Sequence, residues 1–237
     1  MTSSNSRLVG DRMDVTCGRL YATYARFWQQ PARGSLVPEF FILMHQVVRA
    51  SVPLMECATS LCAGEHADPV CRVLAPYLAT HIAEERHHDE WLLDDLAAAG
   101  VPKDDVLGAI PPRSVAALVG AQYYWVRHCH PVAIVGYMRV LEGNPPSDAH
   151  IERLRRESGL PADAFRTYAL HGSADLGHRD DLDALLDALP LSESQMHLIW
   201  LSAFHTAEAL ADCLDGIQPG DGRPLNVRDG VRPQADV

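Results

Sequence analysis

The chain contains no run approaching the ~20 apolar residues that a membrane-spanning helix needs, so a transmembrane span is excluded. Its opening Met-Thr-Ser-Ser-Asn-Ser-Arg leads into no apolar signal core. Cysteine is sparse and unclustered: Cys17, Cys57, Cys62, Cys71, Cys129 and Cys213 form no Cys-x2-Cys pair. They read as reduced, small core residues of a cytoplasmic protein. Positive charge is in deficit, with 20 Lys and Arg against 31 Asp and Glu and a formal net charge of −11. That balance argues against a nucleic-acid partner and against an anionic membrane surface. Alternating strand patterns and internal repeats are missing as well.

What is present is enough for a large core. The 237 residues are 47% hydrophobic, which suits one helical domain or two small ones without disulfide staples. Residues 1–10 read as a flexible polar lead, 11–216 as a single helical domain, and 217–237 as a mobile tail rich in Gly, Pro and charge. Histidine is abundant at 12 residues, several of them concentrated in two short stretches.

The first of these stretches is His171-x3-Asp175-x2-His178. On a helix each residue advances by about 100°, which puts His171 at about −40° and His178 at about −60° from Asp175. Tyr168, Leu182, Leu186 and Leu189 share that face, so a stripe meant for burial carries two imidazoles and a carboxylate. A metal ion is one way to satisfy all three. This helix is expected to run from about Ala162 to Leu189, where Pro190 stops it.

The second stretch is His81-Ile-Ala-Glu84-Glu85-Arg-His87-His88. Asp68 and Pro69 open a helix expected to continue unbroken to about Ala99, before Gly100. Measured from Glu85, the stripe of Leu74, Leu78, Leu92 and Leu96 lies within about ±20° and His88 lies at about −60°. Glu85 and His88 therefore point inward, Glu84 lies on the flank and His87 faces solvent. His81, at about −40° from Glu85, reads either as a partner supporting the ligands or as a core histidine.

Glu142 closes a short helix stopped by Gly143-Asn-Pro-Pro146 and shares a side with Val135 and Met138. A carboxylate at a helix C-terminus is disfavoured by the macrodipole, so a cation is expected to hold it there. Earlier, Pro38-Glu39 opens a helix to about Cys62 that Pro53 should kink. Its polar residues His45, Arg49 and Glu56 lie within about 40° of one another. The strip reads as a thin solvent-facing band or as the lining of a site. In the second reading His45 and Arg49 bind substrate, with the planar guanidinium taking a carboxylate, and Glu56 is a seventh ligand. Ser192 and Gln195 form a capping box for a last long helix.

Together these segments describe an all-α bundle of about seven or eight helices. Its inward polar set is Glu85, His88, Glu142, His171, Asp175 and His178. Three carboxylates with three imidazoles suit iron or manganese better than zinc, and six ligands suit two ions with open positions.

In this order the residues resemble the haem-oxygenase-like di-iron oxidases and oxygenases. The phrases that carry the likeness are HIAEERHHDEWLLDDLAAAG, YMRVLEGNPP and HGSADLGHRDDLD, within residues 39–214. The resemblance implies a haem-oxygenase-like fold, a homodimer, and two iron ions held by Glu85, His88, Glu142, His171, Asp175 and His178, with Glu56 as an added ligand. It implies dioxygen as co-substrate, an external electron donor, and a small amine, amino-acid or carboxylate substrate in specialised-metabolite biosynthesis. A ferritin-like bundle that binds metal without substrate chemistry is the alternative, but His171 is surplus in that pattern.

Overall fold

The computed structural model describes residues 4–31, 33–63, 68–143 and 145–217; the side chains of residues 14 and 173–176 lie outside that description. The tail assigned to 217–237 therefore lies almost wholly outside it. All regular elements among the described residues are helical. In chain order they are α1 (Asn5–Thr16), α2 (Gly18–Gln29), α3 (Val37–Cys62), α4 (Pro69–Glu85), α5 (His88–Ala98), α6 (Lys103–Gly108), α7 (Arg113–His128), α8 (Ala133–Leu141), α9 (Asp148–Ser158), α10 (Arg166–Ala188) and α11 (Glu193–Asp215).

Local chemistry explains most of the boundaries. The Asp68 carboxylate accepts the Cys71 backbone N–H ahead of Pro69, which starts α4. Ser192 and Gln195 close the reciprocal capping box of α11. The lead expected to be loose is helical from Asn5 onward. Ser4 caps it, and the Asn5 amide donates to the Leu186 and Leu189 carbonyls at 2.9 and 3.0 Å. Those carbonyls belong to the last turn of α10 and the residue after it, where orphan acceptors need donors, so the start of the chain is tied down. α1 and α2 are divided at Cys17, and the short α6 lies between α5 and α7. α3 passes through Pro53 as one continuous helix.

α3 packs against α4, α5 and α7, while α11 packs against α8, α2 and α7. α8 is buried along its length from Ala133 to Val140. Gly136 permits this: a Cβ there would lie 2.2 Å from the Ile199 carbonyl oxygen of α11, so only a bare α-carbon allows the two backbones to meet. The start of α10 is fixed from α5, where Asp95 accepts the Thr167 backbone N–H at 2.7 Å. Gly172 then lets α10 lie against Pro146, whose carbonyl oxygen would be 2.7 Å from an added Cβ.

One cysteine expectation is corrected. Cys62 and Cys71 are joined by a disulfide, because the last residue of α3 and the third of α4 bring their α-carbons to 4.9 Å. Cys17 and Cys213 are buried, as small core residues should be.

Candidate metal centre and cavity

Four helices deliver the site. α4 supplies His81 and Glu85, α5 supplies His88, Glu142 caps the C-terminus of α8, and α10 supplies His171 and His178. The helix expected to run unbroken across residues 69–99 is interrupted at Arg86 and His87, and His87 adopts a left-handed φ of 76°. A non-glycine residue in that region costs on the order of 1–3 kcal/mol and persists only where its surroundings enforce it. The break turns His88 so that its Nδ1 lies 2.8 Å from Glu85 Oε2.

The imidazoles and carboxylates gather in two triads, in each of which the ligand atoms lie within 4.8 Å of one another. One is His81, Glu142 and His178; the other is Glu85, His88 and His171. His81 Nε2 meets Glu142 Oε1 at 3.1 Å. His178 Nδ1 links the triads, standing 3.7 Å from Glu85 Oε1 and 3.9 Å from Glu142 Oε2. Five of the six expected ligands are thus brought together. The side chain of the sixth, Asp175, lies outside the described residues.

Burial and hydrogen bonding set the electrostatics. Burial pushes the Glu85 carboxyl up, but the His88 hydrogen bond and neighbouring imidazoles outweigh it and leave it below its ordinary value. Burial dominates at Glu142 and raises its carboxyl despite the His81 hydrogen bond. At His81 burial favours the neutral ring, yet the hydrogen bond and charge of Glu142 raise it overall.

These residues fit a metal. The side chains of Glu85 and Glu142 are only 11% and 14% exposed, and among the described residues no Lys or Arg pairs with either. Glu85 Oε1 and Glu142 Oε2 are buried without a hydrogen-bond partner among the described residues. Two buried carboxylates, each with an unused oxygen and facing only imidazoles, call for a cation. His81 supplies a ligand atom from the position its angle of about −40° gave it on the inward face.

The remaining candidates lie elsewhere. Glu84, half-exposed, approaches His81 Nδ1 and His178 Nε2 at 3.7 Å from the flank. Glu56 is exposed and pairs with Arg86 at 3.5 Å, so in this structure it is not a seventh ligand. His45 and Arg49 do not line the cavity described below, because they leave α3 on a different side from Met44, Val48 and Ser51, toward the charge of Asp89 on α5. A further group, Asp68, Cys71 and His130, is satisfied without an ion. His130 Nδ1 accepts the Val132 N–H, its Nε2 donates to Asp68 at 2.6 Å, and the Cys71 sulfur is already bonded.

Beside the triads lies a cavity of about 330 Å³, bounded by α2, α3, α4, α8, α10 and α11. This is at the lower end of the roughly 300–1,000 Å³ of small-molecule sites. His81, Glu85, Glu142 and His171 form its polar end, and Leu43, Met44, Val47, Val140, Leu210 and Leu214 are among its apolar walls. Four of the hydroxyls lining it are paired: Tyr24 with Tyr168 at 2.6 Å and Ser51 with Tyr137 at 3.0 Å. Among the described residues no Lys or Arg lines it. Sequence periodicity does not reveal this space, because it forms only where six helices fail to meet.

Comparisons with known proteins bear on the chain's family and fold. A family described as iron-containing redox enzymes matches residues 39–211. Among solved structures, a domain of unknown function with a haem-oxygenase-like fold from Shewanella denitrificans superposes with a TM-score of 0.69 at 14% identity, covering 92% of this chain and 95% of that one. A TenA homologue from Pseudomonas syringae pv. tomato gives 0.69 at 12% identity, covering 88% and 90%. At such identities these likenesses establish the haem-oxygenase-like fold alone. No curated protein matches the sequence. Among the described residues no helix is long and apolar enough to cross a membrane.

Proposed function

This chain belongs to the family of iron-containing redox enzymes, and from that premise we propose that it is a non-haem di-iron oxidase or oxygenase. Its substrate is a small molecule with an apolar body. The observation that carries the reading is the pair of two-imidazole, one-carboxylate triads, bridged by His178, at the polar end of an apolar cavity. His81, Glu142 and His178 would hold one iron, Glu85, His88 and His171 the other, with Asp175 an additional ligand. Iron bound there supplies the electron transfer to dioxygen that protein side chains cannot.

The chain's own groups do the rest. The apolar walls hold the substrate's body and exclude water from its reacting end. Tyr24 is already hydrogen-bonded to Tyr168 and Ser51 to Tyr137, which leaves the apolar walls to dominate what the cavity accepts. Without metal the His81–Glu142 pair keeps a proton at the polar end, since each partner is held above its ordinary value, and ligation would require the pair to release it. Electrons beyond those of the two irons come from an external donor. A storage or sensing bundle has no use for an apolar cavity opening on its ligands, so the cavity favours substrate chemistry. The test is dioxygen uptake by iron-loaded protein across a panel of apolar amines, amino acids and carboxylates. Uptake accelerated by a panel member, with an oxidised product, supports the reading. Uptake that no member alters, with iron retained, favours metal storage.

A further inference from the structure

A second cavity, of about 430 Å³, adjoins the first, and Tyr21 lines both. Its lining brings together three guanidinium groups from three helices: Arg7 of α1, Arg139 of α8 and Arg179 of α10. In a chain of net charge −11 such a convergence is notable for its sign alone. Two carboxylates face the same space and answer part of the charge. Asp183 pairs with Arg139 Nη2 at 3.2 Å, and Asp11 with Arg7 at 3.8 Å where both groups are largely exposed. Arg179 makes no ion pair among the described residues, which leaves the pocket one positive charge in excess.

The second observation concerns Arg139 itself. It is only 7% exposed, and its Nε is buried with no hydrogen-bond partner among the described residues. A guanidinium N–H withdrawn from water and left unpaired is costly, and a planar oxyanion is the group its donor fork matches. Arg139 also stands one helical turn before Glu142, and Arg179 directly follows His178. The positive pocket is therefore built on the same segments that carry the metal residues, and Tyr21 lines both spaces.

We propose that Arg139 and Arg179, with Arg7, form an oxyanion site that holds the carboxylate or phosphate group of the substrate whose apolar body occupies the adjoining cavity. This rests on the reading of that cavity as the substrate site. Holding the anionic group here keeps it off the irons and leaves the hydrocarbon portion for the ligand end. The carboxylate recognition expected of Arg49 is assigned instead to arginines on α8 and α10.

The test is calorimetric binding of decanol, decanoate and decyl phosphate to the metal-free full-length protein, in wild type, Arg139→Gln and Arg179→Gln. Decanoate or decyl phosphate, whichever source the site prefers, is expected to bind at least about tenfold more tightly than decanol. Both substitutions should remove that advantage and leave decanol binding unchanged, and inorganic phosphate should weaken the anion but not the alcohol. If decanol binds and neither anion binds more tightly, or if the advantage survives both substitutions, the oxyanion site is wrong while the cavity stands. If none of the three binds, the cavity reading and the oxyanion site fall together. Should Arg139→Gln not fold, the more exposed Arg179→Gln decides alone.

Discussion

His81 Nε2 stands 3.1 Å from Glu142 Oε1, joining α4 to the C-terminal end of α8. That contact places His81 among the ligand atoms. Replacing His81 with alanine is therefore expected to lower the iron stoichiometry from two to one per chain, with the remaining iron bound normally. A merely supporting histidine would leave both sites filled, with affinity lowered by about 10–100-fold. Iron content after desalting, alongside a helical circular dichroism spectrum, separates the outcomes.

Both members of this pair hold their protons above the ordinary range in the metal-free protein, His81 through Glu142, and Glu142 through burial. Metal ligation requires both to give up those protons. Ferrous binding should release protons near pH 7 and progressively fewer as the pH is raised through the titration of His81. Titration calorimetry in buffers of different ionisation enthalpy measures the number directly. No proton release at pH 7 would mean that this pair does not ligate.

Glu56 provides the complementary prediction. It is exposed and paired with Arg86, so Glu56→Gln should change neither iron stoichiometry nor affinity. A surface pair of this kind is worth about 0–1 kcal/mol, and stability should move by no more than that. Loss of iron in this variant would restore Glu56 to the ligand set.

His45 governs part of the response to acid. Burial, then the charge of Arg49, holds its imidazole down to about 4, against an ordinary value of 6.5. Between those values the unfolded chain binds more protons than the folded one, so the contribution is complete above pH 6.5 and is lost as the pH falls toward 4. The loss is on the order of 3 kcal/mol at most. Urea unfolding at pH 7.5 and pH 5 should show this slope in the wild type and a shallower one in His45→Asn.

Gly136 and Gly120 should respond oppositely to alanine. A Cβ at Gly136 would meet the Ile199 carbonyl at 2.2 Å, whereas nothing lies within 4 Å of one at Gly120. Gly136→Ala should cost at least about 1–3 kcal/mol, as overpacking does. Gly120→Ala, inside α7, should gain up to about 1 kcal/mol from helix propensity. Equal effects in urea unfolding would contradict the close α8–α11 contact.

Much of this architecture is legible because it is written in local chemistry. The Asp68-Pro69 start, the Ser192–Gln195 box and the inward faces of Glu85, His88, Glu142, His171 and His178 follow from caps and helical angles. Angles also put His81 on the ligand face but do not say that α8 brings Glu142 to it. The break at His87 is hidden because neither Gly nor Pro marks it; tertiary placement of Glu85 and His88 imposes it. The strip of His45, Arg49 and Glu56 shares one side of α3, yet its facing depends on how α5 lies against α3, which no wheel contains. The Cys62–Cys71 disulfide arises from the approach of the end of α3 to the start of α4 rather than from a recognisable spacing.

The proposed di-iron centre would hold one iron in each of the two triads that His178 bridges. Anaerobic equilibrium titration of the metal-free protein with ferrous iron, counted as ions bound per chain, tests it most directly. Two ions per wild-type chain are expected. A wild-type chain that saturates at one, or takes up none, contradicts it.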